Sequence, residues 1–294
     1  MSKAFNIRDG WIWMNGSFVP WVNATTHIIT QGLHYASAVF EGERAYNGTI
    51  FKSKEHTKRL FKSAAIIGIT IPYSEHEINI AKDDLIKKMN YINCYVRPVV
   101  WRGSQQMGLS TSNADIQVAI ACWDDWTSYF KLEDRLSGLK LITSPWKRPA
   151  PDTVPYEAKA SGPYIICTMS KEFAEKKGYH DALMLDYRGY VAEGTGANIF
   201  FIKGKNIHTP IPDCFLNGIT RQTVIKLVKE KGFKLIERHI FPNEIKEYDE
   251  AFLTGTAAEI TPIKSIDEMT YNTGANTVTY NLMNDFTYLV NSSL

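Results

Sequence analysis

Two Asn-Gly dipeptides constrain this chain more than any other feature. Asn15-Gly16 stands between Trp11–Met14 and Ser17–Val19, and Asn47-Gly48 stands between Ala45–Tyr46 and Thr49–Phe51. Both residue types tolerate the positive φ that a two-residue type I′ turn needs, so each dipeptide predicts a tight antiparallel hairpin. A helix from Ser53 to Gly68 follows, with Ser53 as its cap and Leu60, Ala64 and Ile67 along one face. Ser74 and Glu77 form a capping box for a second helix whose inner stripe is Ile78, Ala81, Leu85 and Met89. Two strands come next, Cys94–Trp101 and Ile116–Cys122. Hairpins, two helices and then strands give an α+β class, not the regular alternation of a doubly wound parallel sheet.

Residues 123–137 change character, from Trp-Asp-Asp-Trp into a charged segment ending at Ser137-Gly138. We read an interdomain linker there, between a small N-terminal domain at 1–122 and a larger domain at 138–294; a 294-residue chain suits such a division. In the second part we expect a strand at Leu139–Ser144 and strands Ala182–Asp186 and Tyr190–Ala192 turning at Arg188-Gly189. A hairpin of Asn198–Ile202 with Asn206–Thr209 follows, then a helix from Thr220 to Lys231 that Gly232 stops. Strand Lys234–Arg238, a short helix near Asn243, strand Glu250–Thr254 and helix Thr277–Val290 complete the chain.

Composition narrows the function. A net charge of +2 with no basic run argues against a nucleic-acid partner. No apolar stretch reaches ~18 residues, so no membrane-spanning helix is expected. Met1–Gly10 is too polar for a secretory leader. Cys94, Cys122, Cys167 and Cys214 lack Cys-x-x-Cys spacing, and the seven histidines show no metal spacing. We therefore expect no metal, no disulfide framework and a cytoplasmic location.

The stretch Pro155–Tyr164 centres on Lys159, among Ala158, Ala160, Ser161 and Gly162. Pro145, Pro149, Pro151 and Pro155 make its approach a stiff loop, and Ser161 is placed to cap a helix that starts near Pro163. Such a lysine is either a nucleophile of lowered pKa or an ordinary solvated side chain. Gly218-Ile219-Thr220 opens a helix and offers a phosphate its N–H groups. Thr254-Gly255-Thr256-Ala257-Ala258 is a second small-residue run suited to an anion; an ordinary cap and an ordinary turn are the alternatives. Glu193-Gly194-Thr195-Gly196 is not a dinucleotide motif, because Ile199 replaces the third glycine and a strand follows. It leaves Glu193 as an acid at a strand end. Arg59 is expected on the exposed side of its helix, paired with Glu55 four residues earlier. Arg97 lies in an apolar strand, where charge is costly unless paired, with Tyr95 expected on the opposite face. A lysine, phosphate anchors and an acid fit pyridoxal phosphate, whose ring nitrogen needs a carboxylate to stay protonated.

At these residues the sequence resembles the class IV pyridoxal-phosphate aminotransferases, and among them the branched-chain amino acid aminotransferases. The class signature is supplied by Glu193, Thr195, Asn198, Ile199, Phe200, Thr209, Leu216, Gly218, Ile219 and Arg221. The likeness runs from about Trp13 to Ile266 and includes Leu33-His34-Tyr35, Val39-Phe40-Glu41-Gly42, Tyr95-x-Arg97-Pro98, Met107-Gly108 and Thr254–Pro262. The resemblance implies a two-domain fold-type IV enzyme, of the D-amino acid aminotransferase-like kind. In it Lys159 carries the cofactor and shuttles a proton between the substrate Cα and C4′. Glu193 pairs with the pyridine nitrogen, Tyr164 bonds the ring hydroxyl, and Arg59, Ile219, Thr220 and Thr256 hold the phosphate. The substrate carboxylate meets the Ala257 and Ala258 amides, with Tyr95 nearby. Tyr35, Phe40, Trp126 and Tyr129 line an apolar pocket, and Arg97 with Tyr35 and Tyr129 takes the distal carboxylate of glutamate. The implied reaction moves the amino group of leucine, isoleucine or valine to 2-oxoglutarate, in a homodimer or a larger assembly such as a hexamer. Rivals of the same fold are a D-amino acid or amine transaminase and an aminodeoxychorismate lyase; a non-catalytic phosphate-ligand-binding protein is the rival of another class. Glu43 and Ala197 depart from the family pattern, at positions able to alter substrate preference.

Overall fold

Asn15 and Asn47 both take left-handed backbone at φ 50°, with Gly16 at 92° and Gly48 at 80°, and both expected hairpins form. The computed structural model describes residues 4–124 and 132–292. They fall into two units. One gathers residues 4–124 with Ala158–Gly162; the other holds residues 132–157 and 163–292.

In the first unit the elements are β1 (Trp11–Met14), β2 (Ser17–Pro20), α1 (Gln31–His34), β3 (Ala38–Phe40), β4 (Glu43–Tyr46), β5 (Thr49–Ile50), α2 (Ser53–Ile66), α3 (Glu75–Met89), β6 (Cys94–Arg102) and β7 (Ile116–Trp123). The strands form one sheet in the order β2-β1-β7-β6-β4-β5, with β3 also on β6. The capping box on α3 is present: Ser74 Oγ accepts from Glu77 N at 3.2 Å, and Glu77 accepts from Ser74 N at 2.7 Å. Helix α3 packs on β1 and β7 and α2 packs on β3, burying Leu60, Ala64, Ile78 and Leu85 against Val96 and Ile120. Ser53 is not the cap of α2. Left-handed Lys52 leads into that helix, and the Ser53 hydroxyl bonds Asn79 at 3.1 Å.

The segment Ala158–Gly162 is stitched into this unit as a short extended piece. Val39 and Ala160 form an antiparallel bridge. Phe40 N donates to Lys159 O at 3.1 Å and Ser161 N donates to Ala38 O at 2.9 Å. Ser161 is thus occupied in pairing and caps nothing.

The second unit contains α4 (Leu132–Ser137), β8 (Leu139–Arg148), α5 (Tyr164–Lys176), β9 (Asp181–Asp186), β10 (Val191–Glu193), β11 (Asn198–Lys203), β12 (Asn206–Thr209), α6 (Ile219–Glu230), β13 (Lys234–Glu237), β14 (Glu250–Gly255), β15 (Glu259–Ile266), β16 (Met269–Thr270) and α7 (Val278–Ser292). Helix α5 starts after Pro163 with no side-chain cap. The sheet order is β10-β9-β8-β15-β14-β11-β12-β13, with β16 on β15. Strand β8 runs parallel to β9 and β15, and β12 runs parallel to β13; the other pairs are antiparallel. A further pairing of β10 with β11, at Glu193↔Asn198, closes the run into a ring. Leu139, Leu183, Val191, Ile199, Phe201 and Leu253 belong to its core. Strand β15 is missed by sequence reasoning because it contains Pro262, which in a sequence argues against a central strand. Among the described residues, no helix is long and apolar enough to cross a membrane.

Candidate active site

Lys159 is held by its backbone. Besides the bond its carbonyl accepts from Phe40, its N–H donates to Ser63 Oγ on α2 at 2.9 Å. Its amine lies 4.7 Å from the centre of the Phe40 ring. Burial, with the Arg59 charge next in importance, lowers its pKa from 10.5 to about 8, against the opposing pull of Glu41 and Tyr95. At neutral pH roughly a tenth of such amines is unprotonated, against about one in a few thousand for an ordinary lysine.

Arg59 does not face solvent and does not pair with Glu55. Its Nε and Nη2 donate to the two carboxylate oxygens of Glu41 at 2.6 and 2.9 Å, and its side chain is 16% exposed. Glu55 instead meets Lys52 at 3.6 Å. His56 Nδ1 adds a third contact to Glu41 at 2.7 Å. Burial alone would raise the Glu41 pKa; the Arg59 and His56 partners overcome it and hold the acid well below the usual carboxylate range. Glu43, two residues on, is fully buried at 2.7 Å from Lys82 Nζ. That amine also donates to Thr57 Oγ1 at 2.7 Å and Ser53 O at 3.2 Å. The departure at Glu43 therefore sits inside a closed ion pair between β4 and α3.

Tyr95 and Arg97 share a face, contrary to the sequence expectation, because residues two apart on a strand point the same way. Arg97 Nη2 donates to Tyr95 Oη at 3.0 Å, and the guanidinium lies 4.8 Å from the centre of the Phe40 ring. Arg97 Nε is buried with no hydrogen-bond partner. A Cβ at Gly42 would meet the Tyr95 hydroxyl, so any larger residue there would have to displace that side chain. Tyr35, just past α1, is exposed with its ring against His34. Trp126 and Tyr129 lie outside the described residues.

In the second unit Glu193 sits where the ring closes. It is no surface carboxylate: its side chain is 11% exposed. Its Oε2 accepts from Asn198 Nδ2 at 3.1 Å. The same amide donates to Leu216 O at 3.0 Å, while its oxygen accepts from Gly218 N at 3.2 Å. Asn198 thereby ties the acid to the residue that opens α6. A Cβ at Gly218 would strike the Asn198 oxygen, so this glycine is required by close approach. The first N–H groups of α6, at Ile219 and Thr220, are those a helix leaves without internal partners. Thr254 Oγ1, at the end of β14, is buried and unpartnered; Thr256 and Ala257 beyond it are half-buried and Ala258 is buried. Ala197 is packed in the core of the ring. Tyr164 is the first residue of α5 and is half-buried.

Sequence reasoning missed Arg148. It ends β8, and its Nε lies 3.4 Å from Glu193 Oε1. No signal in the sequence points to it, because the expected strand Leu139–Ser144 stops four residues short of the Arg148 at which β8 ends.

In the first unit an amine of lowered basicity suits an aldehyde and Arg59 suits a phosphate; in the second, the helix N-terminus of α6 suits a phosphate and a buried carboxylate suits a basic ring nitrogen.

Comparison with known proteins agrees. The model of the amino-transferase class IV family matches residues 38–266. A branched-chain-amino-acid aminotransferase of Pseudomonas aeruginosa is 46% identical over 264 residues, covering 88% of this chain and 86% of the relative. The chain superimposes on a solved T.th. branched-chain amino acid aminotransferase with pyridoxamine 5'-phosphate at a TM-score of 0.93, with 36% identity and coverage of 98% and 96%. A T.th. branched-chain amino acid aminotransferase complexed with N-(5'-phosphopyridoxyl)-L-glutamate gives 0.91 at 35% identity, again covering 98% and 96%.

Proposed function

The chain belongs to the class IV aminotransferase family, and we propose that within it the enzyme moves the amino group of L-leucine, L-isoleucine or L-valine to 2-oxoglutarate, giving L-glutamate and the branched-chain 2-oxo acid. Its cofactor is pyridoxal 5'-phosphate, which supplies an electron sink for the carbanion formed at the substrate Cα. The observation that carries the reading is Lys159, an amine kept weakly basic beside the Glu41-bound Arg59.

In this reading Lys159 would hold the cofactor through its amine and would serve as the base that moves the proton at the substrate Cα. Its lowered pKa favours both tasks, because the neutral amine attacks and accepts protons. Glu193 keeps the ring nitrogen protonated and Tyr164 bonds the ring hydroxyl. Arg59, Ile219, Thr220 and Thr256 hold the phosphate, and Glu41 fixes the Arg59 fork. Ala257 and Ala258 offer N–H groups to the substrate carboxylate, near Tyr95. Phe40, Tyr35, Trp126 and Tyr129 receive the apolar side chain, and Arg97 with Tyr35 and Tyr129 receives the distal carboxylate of glutamate. We also place the enzyme in the cytoplasm as a homodimer or a larger multiple of two.

The test is glutamate formation from L-leucine and 2-oxoglutarate. Lys159→Ala should abolish turnover with the far-UV circular dichroism spectrum unchanged. Residual transamination in that variant, or a clear preference of the parent enzyme for D-alanine, would overturn the reading.

A further inference from the structure

We propose that Arg148 is a positioning residue for this reaction: set beside the Glu193 carboxylate, its charge keeps that carboxylate ionised and leaves the shared proton on the cofactor's ring nitrogen. The inference rests on reading Glu193 as the partner of that nitrogen.

Both side chains are withdrawn from water, Arg148 at 8% and Glu193 at 11% exposed. Their nearest approach, Nε to Oε1, is 3.4 Å, and Nε has no hydrogen-bond partner. Arg148 is anchored elsewhere, through Nη1 to Cys167 Sγ on α5 at 3.1 Å. The contrast with Arg59 is informative. There two short bonds occupy both oxygens of Glu41, and that acid is committed to structure. At Glu193 the arginine stands at 3.4 Å, farther than either Arg59 contact to Glu41, and contributes chiefly its charge. Burial works against the charge on Arg148, but Glu193, followed by Cys167, Tyr164 and Cys214, holds its pKa above the ordinary value. Of those four neighbours only the glutamate is ordinarily an anion at neutral pH.

A carboxyl group and a pyridine nitrogen in contact share one proton, which goes to the more basic atom. A buried carboxylate without a cation becomes more basic and takes it; a neighbouring cation reverses this. Asn198 Nδ2, donating to Oε2, acts in the same direction. Arg148 thus sets the protonation of the electron sink without being assigned any contact with the cofactor.

The experiment compares the wild-type holoenzyme with Arg148→Met, Arg148→Lys and Glu193→Gln, each loaded with cofactor labelled with 15N at the ring nitrogen. We expect the wild-type 15N signal at the protonated position. Arg148→Met should shift it toward the unprotonated position and lower kcat about tenfold or more, with the KM for leucine little changed. Arg148→Lys should restore the signal and most of kcat. If Arg148→Met keeps the protonated signal while Glu193→Gln loses it, Arg148 is only structural and the inference falls. If Glu193→Gln also leaves the signal unmoved, the assignment of Glu193 falls, and this inference with it. Should Arg148→Met not fold, Arg148→Gln carries the same readout and the same outcomes.

Discussion

Replacing Glu41 by glutamine keeps the size of the side chain and removes its charge. Glu41 is fully buried; His56 is 3% exposed and Arg59 16% at the side chain. Two charge-assisted bonds from Arg59 and one from His56 converge on it. Removing one partner from such a buried set costs about 3–5 kcal/mol, because the remaining charge stays desolvated. The glutamine carbonyl still accepts one bond and returns about 1 kcal/mol. The net loss at pH 7 is therefore about 2–4 kcal/mol, a drop of about 1–2 M in the urea midpoint for an m near 2 kcal/mol/M. The pH dependence fixes the cause. The folded-state pKa of Glu41 lies well below its ordinary 4.5, so its contribution is fully present above that value and is lost as pH falls toward the folded pKa. Urea unfolding of the holoenzyme, followed by circular dichroism at pH 7 and pH 4, should show the gap between Glu41→Gln and the parent narrowing at the lower pH. A loss below about 1 kcal/mol, or a gap that does not change with pH, would refute the argument.

The pair Lys82–Glu43 makes a parallel case. Lys82→Met alone should cost about 3–5 kcal/mol in urea unfolding, while Glu43→Leu with Lys82→Met should recover most of it; a single variant as stable as the parent would show that the pair is not desolvated. Ser74→Ala removes the acceptor for Glu77 N and should cost about 1 kcal/mol by the same measurement, with no change in activity.

What could be read from the sequence was what a few adjacent residues decide. Asn15-Gly16 and Asn47-Gly48 fix their turns by φ alone, and Ser74 with Glu77 fixes the start of α3 within one turn. The class motif, from Glu193 to Arg221, was legible because the ring seam and the opening of α6 lie close in sequence and are joined by Asn198. The partners of these residues were not legible. Arg59 has an acid four residues away, and the helical rule for exposed pairs assigned it there. Its real partner lies 18 residues back in the chain, where only the packing of α2 on β3 delivers it. Arg148 and Glu193 meet only when β8 and β10 enter one sheet.

The acids at 41 and 43 show why a polarity pattern fails here. Glutamates are ordinarily solvent-exposed, yet both are completely buried. They are covered by helices that carry their partners: His56 and Arg59 on α2, Lys82 on α3. The signal was present on the other partner. Lys82 is four residues after Ile78 and three before Leu85, both buried on the inner stripe of α3, and the lysine is buried with them. A lysine at a stripe position needs a buried acid opposite, and an acid in the adjoining hairpin is the nearest to meet it. Had periodicity been read for misplaced charge as well as for apolar runs, it would have paired Lys82 with Glu43. The neighbouring acid, Glu41, is buried as well and is met by partners of its own on α2.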